Sequence, residues 1–329
     1  MRLTVSLLAA PLLLALTSPL LSDPVKRTPY DEQVMPSVTD PAIKTFDFPH
    51  GVDFPNPEYL RNQLLLFLDG TNPSGEPQRP GAIRFTRLAA YYGYHVIYLM
   101  YPNDVSAAEV ARDVPDKKAF ATFRWDLIEG GKSGYARVPR PESIENRAIK
   151  LLAFLQHEHP DQNWGQFLEE GHVAWEKVAV AGQSQGGGHA AIIATRYLVA
   201  RVICFGAPKD FNKYHNEPAE WYHASVTPPE RYFAFNNPRD YQGCSYPELV
   251  QNLEALDFQK SANVDKELPP YHGAHALFTD WPGKATDSRS AHTAMINGSL
   301  VDKTGAPIFK AVWRYMLTAP TDSPVASQQ

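Results

Sequence analysis

Apolar residues along this chain fall into two patterns, short continuous runs and longer stripes spaced three to four residues apart. Six runs have the length and the β-branched or aromatic content of buried strands: Gln63 to Leu68, His95 to Met100, Val178 to Ala181, Ala200 to Phe205, Arg231 to Phe235 and His275 to Thr279. Between them lie helical stretches: Ala82 to Tyr92 closed by Gly93, a run from a Ser143 cap to His157, the Ala- and Ile-rich segment ending at Tyr197, Pro247 to Asp257, and Pro307 to Leu317. In the second of these, Ile144, Ala148, Leu151, Leu152 and Leu155 share one face. Strand–helix–strand steps in this order predict an α/β fold, a mostly parallel central sheet flanked by helices.

Four segments break the rhythm. Met1-Arg2 followed by the leucine-rich run Leu3 to Leu21 and then Ser22-Asp23-Pro24 reads as a secretory signal peptide over residues 1–22, cut after Ser18 or Ser22. A retained membrane anchor is the alternative for a stretch this close to the bilayer-spanning minimum. Residues 23–62 read as a wrapping segment with room for a short edge strand, and 321–329 as a frayed tail. That leaves 23–320 as one domain carrying insertions at about 104–141 and 211–229. Both insertions follow strands, on the side of a parallel sheet where ligands bind, so they are candidates for a cap or pocket wall. Their aromatic residues, Phe120, Phe123, Trp125, Tyr135, Trp221 and Tyr222, serve equally well as filling for a satellite core.

Composition narrows the function classes. With 43% hydrophobic residues, the chain can bury a sizeable core despite its 29 prolines, which stiffen loops. A net charge of −5 gives no electrostatic case for binding nucleic acid or an anionic membrane. Removal of the leader leaves no long apolar run for membrane insertion, so a secreted or periplasmic location is expected. Two cysteines remain, Cys204 in an apolar strand and Cys244; they are either buried thiols or a single bridge. Asn297-Gly298-Ser299 is a glycosylation sequon for a eukaryotic host. His157 and His159 at a helix end, and His272-x-x-His275 with Asp280, need no metal to explain them, and neither a metal nor a cofactor is expected.

The chemistry concentrates in Val-Ala-Val-Ala-Gly-Gln-Ser-Gln-Gly-Gly-Gly-His-Ala-Ala, residues 178–191. An apolar strand runs into Gly182-Gln183-Ser184-Gln185-Gly186 and straight on into a helix. That context turns a Gly-x-Ser-x-Gly pattern into a nucleophile elbow: the serine takes strained angles, and a Cβ two residues to either side would collide with its neighbours. A phosphate-cradling loop is the competing reading, but it lacks its lysine. A serine hydroxyl is a poor nucleophile at neutral pH and needs a histidine to take its proton. The histidine in turn needs a buried carboxylate.

On these residues the chain resembles the α/β-hydrolase superfamily, most closely its secreted serine esterases and lipases; the Ser-Gln-Gly-Gly-Gly-His-Ala-Ala string is similar to a group of secreted hydrolase-like proteins within it. The resemblance implies the chain order serine, acid, base, each on a loop after a strand. It assigns Ser184 as nucleophile. Asp240, after the Arg231–Phe235 strand, is the acid, with Asp210 the competitor; His292, on a loop after the last strand, is the base, with His275 the competitor. The oxyanion hole would use the backbone N–H groups of Gln185 and Thr71, or Gly70 in place of Thr71. His189 would be a structural histidine behind the elbow. The expected function is a secreted serine hydrolase acting on a small or polymeric ester through an acyl-enzyme. Transfer of the acyl group to an acceptor other than water, or a non-catalytic binding protein on the same fold, are the alternatives. Oligomeric state and acyl preference are not legible.

Overall fold

The computed structural model describes residues 30–72, 82–281 and 287–321; the leader, residues 73–81 of the loop after the first long strand, and nearly all of the tail lie outside the described residues. In chain order the main elements are β1 (Glu32–Val34), β2 (His50–Asp53), β3 (Leu64–Leu68), α1 (Ile83–Tyr91), β4 (His95–Leu99), α2 (Ala107–Ala111), α3 (Ala119–Trp125), α4 (Ile144–Glu158), β5 (Val178–Gln183) and α5 (Gln185–Arg196). There follow β6 (Arg201–Phe205), β7 (Tyr232–Asn236), α6 (Tyr246–Ala255), β8 (Ser261–Asn263), β9 (Ala276–Phe278), α7 (Ser288–Ala294) and α8 (Lys310–Thr318).

The strands form one sheet in the order β1-β2-β4-β3-β5-β6-β7-β9-β8. Every pairing from β4 to β8 is parallel, and only β2 runs against its neighbours. Alternate residues of each strand enter opposite cores, as the two-residue period requires. Leu64, Leu66, Leu68, Val178, Val180, Val202 and Cys204 face α4, α5 and α6, whereas Leu65, Phe67, Ala179, Ala181, Ile203 and Phe205 face α1 and α8. Burial on both faces is why these strands read as continuous apolar runs.

Three expectations need amendment. The 23–62 segment supplies two strands, β1 and β2, and β2 is buried throughout. The Tyr30 ring lies directly over Gly51, where any Cβ would overlap it. Ser261 to Asn263, read as part of a polar stretch, pairs with β9 as the edge strand β8. Finally, His292 lies on a helix, α7, not a loop; Asp287 caps that helix by accepting the N–H groups of Arg289 and Ser290.

The two insertions pack inward. Residues 104–141 form α2, α3, a π turn over Asp126–Gly130 and a small hairpin, with Phe120 and Phe123 buried in the α5-side core. Residues 211–229 form a hairpin, Phe211–Asn212 with Glu217–Pro218, and a turn that buries Trp221 and Tyr222. The insertions touch where the Lys213 N–H donates to the Arg112 carbonyl. Most of their aromatics therefore fill core.

Candidate active site

Ser184 heads α5 with φ 53° and ψ −118°, a backbone state costly for any residue with a Cβ. The glycines around it are explained by what surrounds them. A Cβ on Gly182 would overlap the Gly186 carbonyl, and one on Gly186 would overlap the carbonyls of Leu68 and Asp69 at the end of β3. Gly187 has the same relation to Ala207 and Gly188 to the Arg124 guanidinium. The strain is held by the Ser184 N–H donating to the Phe205 carbonyl at 2.8 Å and the Ser184 carbonyl accepting from Gly188 at 3.1 Å. Ser184 is only half-buried, and its hydroxyl makes no hydrogen bond among the described residues.

The same corner meets His292. Gly206 follows Phe205, and a Cβ there would stand 3.2 Å from His292 Nδ1. His292 Nδ1 and Asp240 Oδ2 are 2.6 Å apart, with the histidine 11% and the aspartate 1% exposed in their side chains. His292 and Ser184 thus flank one turn at the C-terminal ends of β5 and β6. No hydrogen bond joins the two side chains among the described residues. Asp240 Oδ2 is shared with Lys209 Nζ at 2.7 Å, and Oδ1 accepts the Gln242 N–H at 2.9 Å. Burial pushes the Asp240 carboxyl up, but the hydrogen bond and charge of His292, and then those of Lys209, outweigh it and hold the group below the usual carboxylate range.

Of the amides assigned to the oxyanion hole, that of Gln185 opens the first turn of α5, where N–H groups have no intrahelical acceptor. Across from it, the Gly70 N–H is already given to Asp69 Oδ1 at 2.8 Å. The loop is tied down on all sides. Asn103 Nδ2 donates to the Gly70 carbonyl at 2.6 Å, Tyr101 to the Asp69 carbonyl at 2.6 Å, and Tyr98 to the Asp69 carboxyl. Burial pushes that carboxyl up, against the bonds from Tyr98 and Gly70.

The competitors lie elsewhere or are otherwise engaged. Asp210 is clamped by Arg124, Nε to Oδ2 at 2.5 Å and Nη2 to Oδ1 at 2.6 Å, and also accepts the Trp221 indole N–H at 3.0 Å. His275 stacks on Phe233 at the opposite, N-terminal end of β9. His189 is fully buried behind the elbow against Tyr101; burial, then the Arg124 charge, holds it well below the usual imidazole range, so it stays neutral. Cys204 and Cys244 are free, buried thiols, each pushed up to about 12 by burial. His272 is exposed and His159 pairs with Glu32 at 2.6 Å; among the described residues no group of three metal-ligating side chains occurs.

Sequence reasoning missed Arg124 and Lys209. Arg124 reaches from α3 under the elbow, donating to the Gln185 carbonyl at 3.0 Å. The Gln185 side chain in turn accepts from the Ala107 N–H and donates to the Val105 carbonyl, both at 2.8 Å. The 104–141 insertion is therefore tied to α5, the helix that Ser184 heads. Only the third glycine of the string, Gly188, carried a trace of this in sequence.

The mostly parallel sheet, flanked by helices and carrying a strained serine between its fifth strand and the next helix, is an α/β-hydrolase fold. No family model matches the chain, and no curated protein matches it in sequence. Among solved structures it is similar to an α/β serine hydrolase homologue from Coxiella burnetii, at 10% identity over 76% of this chain and 86% of that one, TM-score 0.38. It is also similar to esterase 2 of Thermogutta terrifontis, at 11% identity over 84% of this chain and 95% of that one, TM-score 0.40. A third is 2,6-dihydroxy-pseudo-oxynicotine hydrolase, at 13% identity over 89% of this chain and 70% of that one, TM-score 0.39.

Proposed function

We propose that this protein is an exported serine hydrolase that cleaves carboxylic esters through an acyl-enzyme. Ser184 attacks the ester carbonyl while His292 Nε2 takes its proton, and Asp240 holds the opposite ring nitrogen and offsets the imidazolium charge. The Gln185 and Thr71 amides receive the negative charge that develops on the carbonyl oxygen, worth about 3 kcal/mol per donor. The imidazolium then gives its proton to the departing alcohol. Water, activated by the same imidazole, releases the acid and restores the serine.

The observation that carries this reading is the pairing of a strained, half-exposed Ser184 with a buried His292–Asp240 pair on the two sides of one strand-end corner. Strain of this kind persists where the surroundings over-determine it, and it gathers at functional sites. Export rests on the apolar leader at residues 1–22. The buried, protonated thiols suit an oxidising compartment, since thiolates are what oxidise.

A fluorophosphonate probe is expected to label the wild type at a single site and to leave Ser184→Ala unlabelled at an unchanged melting temperature. Labelling that survives the substitution, or a wild type that takes no probe, overturns the proposal. A panel of p-nitrophenyl esters of rising chain length then defines the acyl preference.

A further inference from the structure

The acid of the proposed site has a second cationic neighbour. Lys209, from the turn after β6, places Nζ 2.7 Å from Asp240 Oδ2, the same oxygen that His292 Nδ1 meets at 2.6 Å, and 3.1 Å from the Asp240 backbone carbonyl. Its side chain is 10% exposed. Gly243 packs on its stem, where a Cβ would sit 3.4 Å from that of Lys209. The lysine is thus fixed at two points of the acid's own residue.

Other charged groups around the pair are accounted for. On the Lys209 turn, Asp210 is matched by Arg124. Ahead of α6, Cys244 is protonated and Glu248 pairs with Lys213 at 3.1 Å. On the Asp240 turn Arg239 has a partner of its own, and on α7 Asp287 is held by the Arg289 and Ser290 N–H groups while the Arg289 side chain belongs to the exposed first turn. The local balance is therefore one carboxylate shared between a permanent cation and an imidazole. When the imidazole takes a proton, the trio carries a net positive charge where an Asp–His pair alone would be neutral.

We propose that Lys209 is a positioning residue of this site: it pins the Asp240 carboxylate against His292 Nδ1 and takes up part of its charge. The inference rests on the reading of Ser184, His292 and Asp240 as a triad. Lys209 touches no reacting atom; it acts through Asp240.

The test is the titration of the His292 ring, followed by NMR in histidine-labelled protein and assigned by its loss in His292→Gln. In Lys209→Gln, which removes the charge and keeps a donor, the midpoint is expected to move up by about one pH unit. In Lys209→Arg, which keeps the charge, it stays with the wild type. The acid limb of probe labelling should shift in parallel, a change that loss of packing alone does not produce. Equal midpoints in the wild type and Lys209→Gln, or Lys209→Arg behaving as Lys209→Gln, overturn the proposal. A wild type that takes no probe would sink the hydrolase reading instead, and the ring titration would still decide the role of Lys209.

Discussion

Asp210 and Asp240 occupy matching places, each a few residues past the end of neighbouring strands β6 and β7, and they are 2% and 1% exposed. Their partners divide them. Asp210 is held by both arms of a guanidinium that never gives up its proton, with a tryptophan N–H on one of the same oxygens. Asp240 meets an imidazole and a lysine on one oxygen. The first arrangement holds structure together: it ties the 104–141 insertion to the turn after β6 and to the Gln185 carbonyl. The second can serve a proton transfer. Burial is common to both carboxylates, and their partners tell them apart.

A third buried carboxylate extends the comparison. Burial pushes Asp53, at the end of β2, up to about 7, opposed in part by the Arg87 charge. The series runs from a clamped acid through a shared one to one poised near neutrality, and each member can be perturbed separately.

The largest effect is expected at the shared acid. Asp240→Asn should lower the rate of probe labelling by about 10⁴-fold, because the amide favours the wrong imidazole tautomer, while circular dichroism still shows a folded chain. The comparison breaks if Asp210→Asn, folded like the wild type, produces that loss instead. Next is the clamped acid. Asp210→Asn should cost roughly 3–5 kcal/mol in urea unfolding, since it leaves the Arg124 charge buried and unmatched. A stability within about 0.5 kcal/mol of the wild type would show that the clamp does not hold the insertion.

The smallest effect belongs to Asp53 and has a definite sign. Its folded-state carboxyl titrates at about 7 and its unfolded one near the ordinary value of about 3.9, so across that window the folded chain holds a proton that the unfolded chain has released. Stability therefore falls as pH rises from about 4 to 7. Asp53→Asn should flatten that slope and gain roughly 2–4 kcal/mol at pH 8 relative to the wild type. Asp240 has the opposite sign: its depressed carboxyl contributes stability above the ordinary carboxylate value, lost as pH falls below about 4. Unfolding midpoints measured across pH 3–8 in both variants separate the two.

Legibility followed burial on both faces. Strands such as Leu64–Leu68 and Val178–Gln183 carry continuous apolar runs, Leu64 to Leu68 and Val178 to Ala181, because helices cover them on either side, and their pattern survives in the sequence. His50–Asp53 is as deeply buried but reads polar, and distant parts of the chain meet only some of its side-chain atoms: His50 Nδ1 accepts the Met100 N–H at 2.9 Å, while His50 Nε2 and Asp53 Oδ2 have no hydrogen-bond partner among the described residues. Ser261–Asn263 gains a strand only by pairing with β9. The α7 helix around His292 is short and polar, so no apolar stripe announced it.

Within the site, the elbow was readable because its requirement is local: a strained serine needs glycines two places to either side, and both must appear in the same short string. The helix that follows is local as well. Which of two aspartates meets a histidine depends on what sits across the turn. Arg124 lies 86 residues from Asp210 and His292 lies 52 from Asp240, and no spacing rule joins positions so far apart. Sequence by itself placed the long buried strands and the Gly-x-Ser-x-Gly turn between a strand and a helix, since steric demands on adjacent residues are written into adjacent letters. The tertiary structure alone showed which partners the two carboxylates have and where Lys209 lies, because charge compensation in a buried site is a property of neighbours in space.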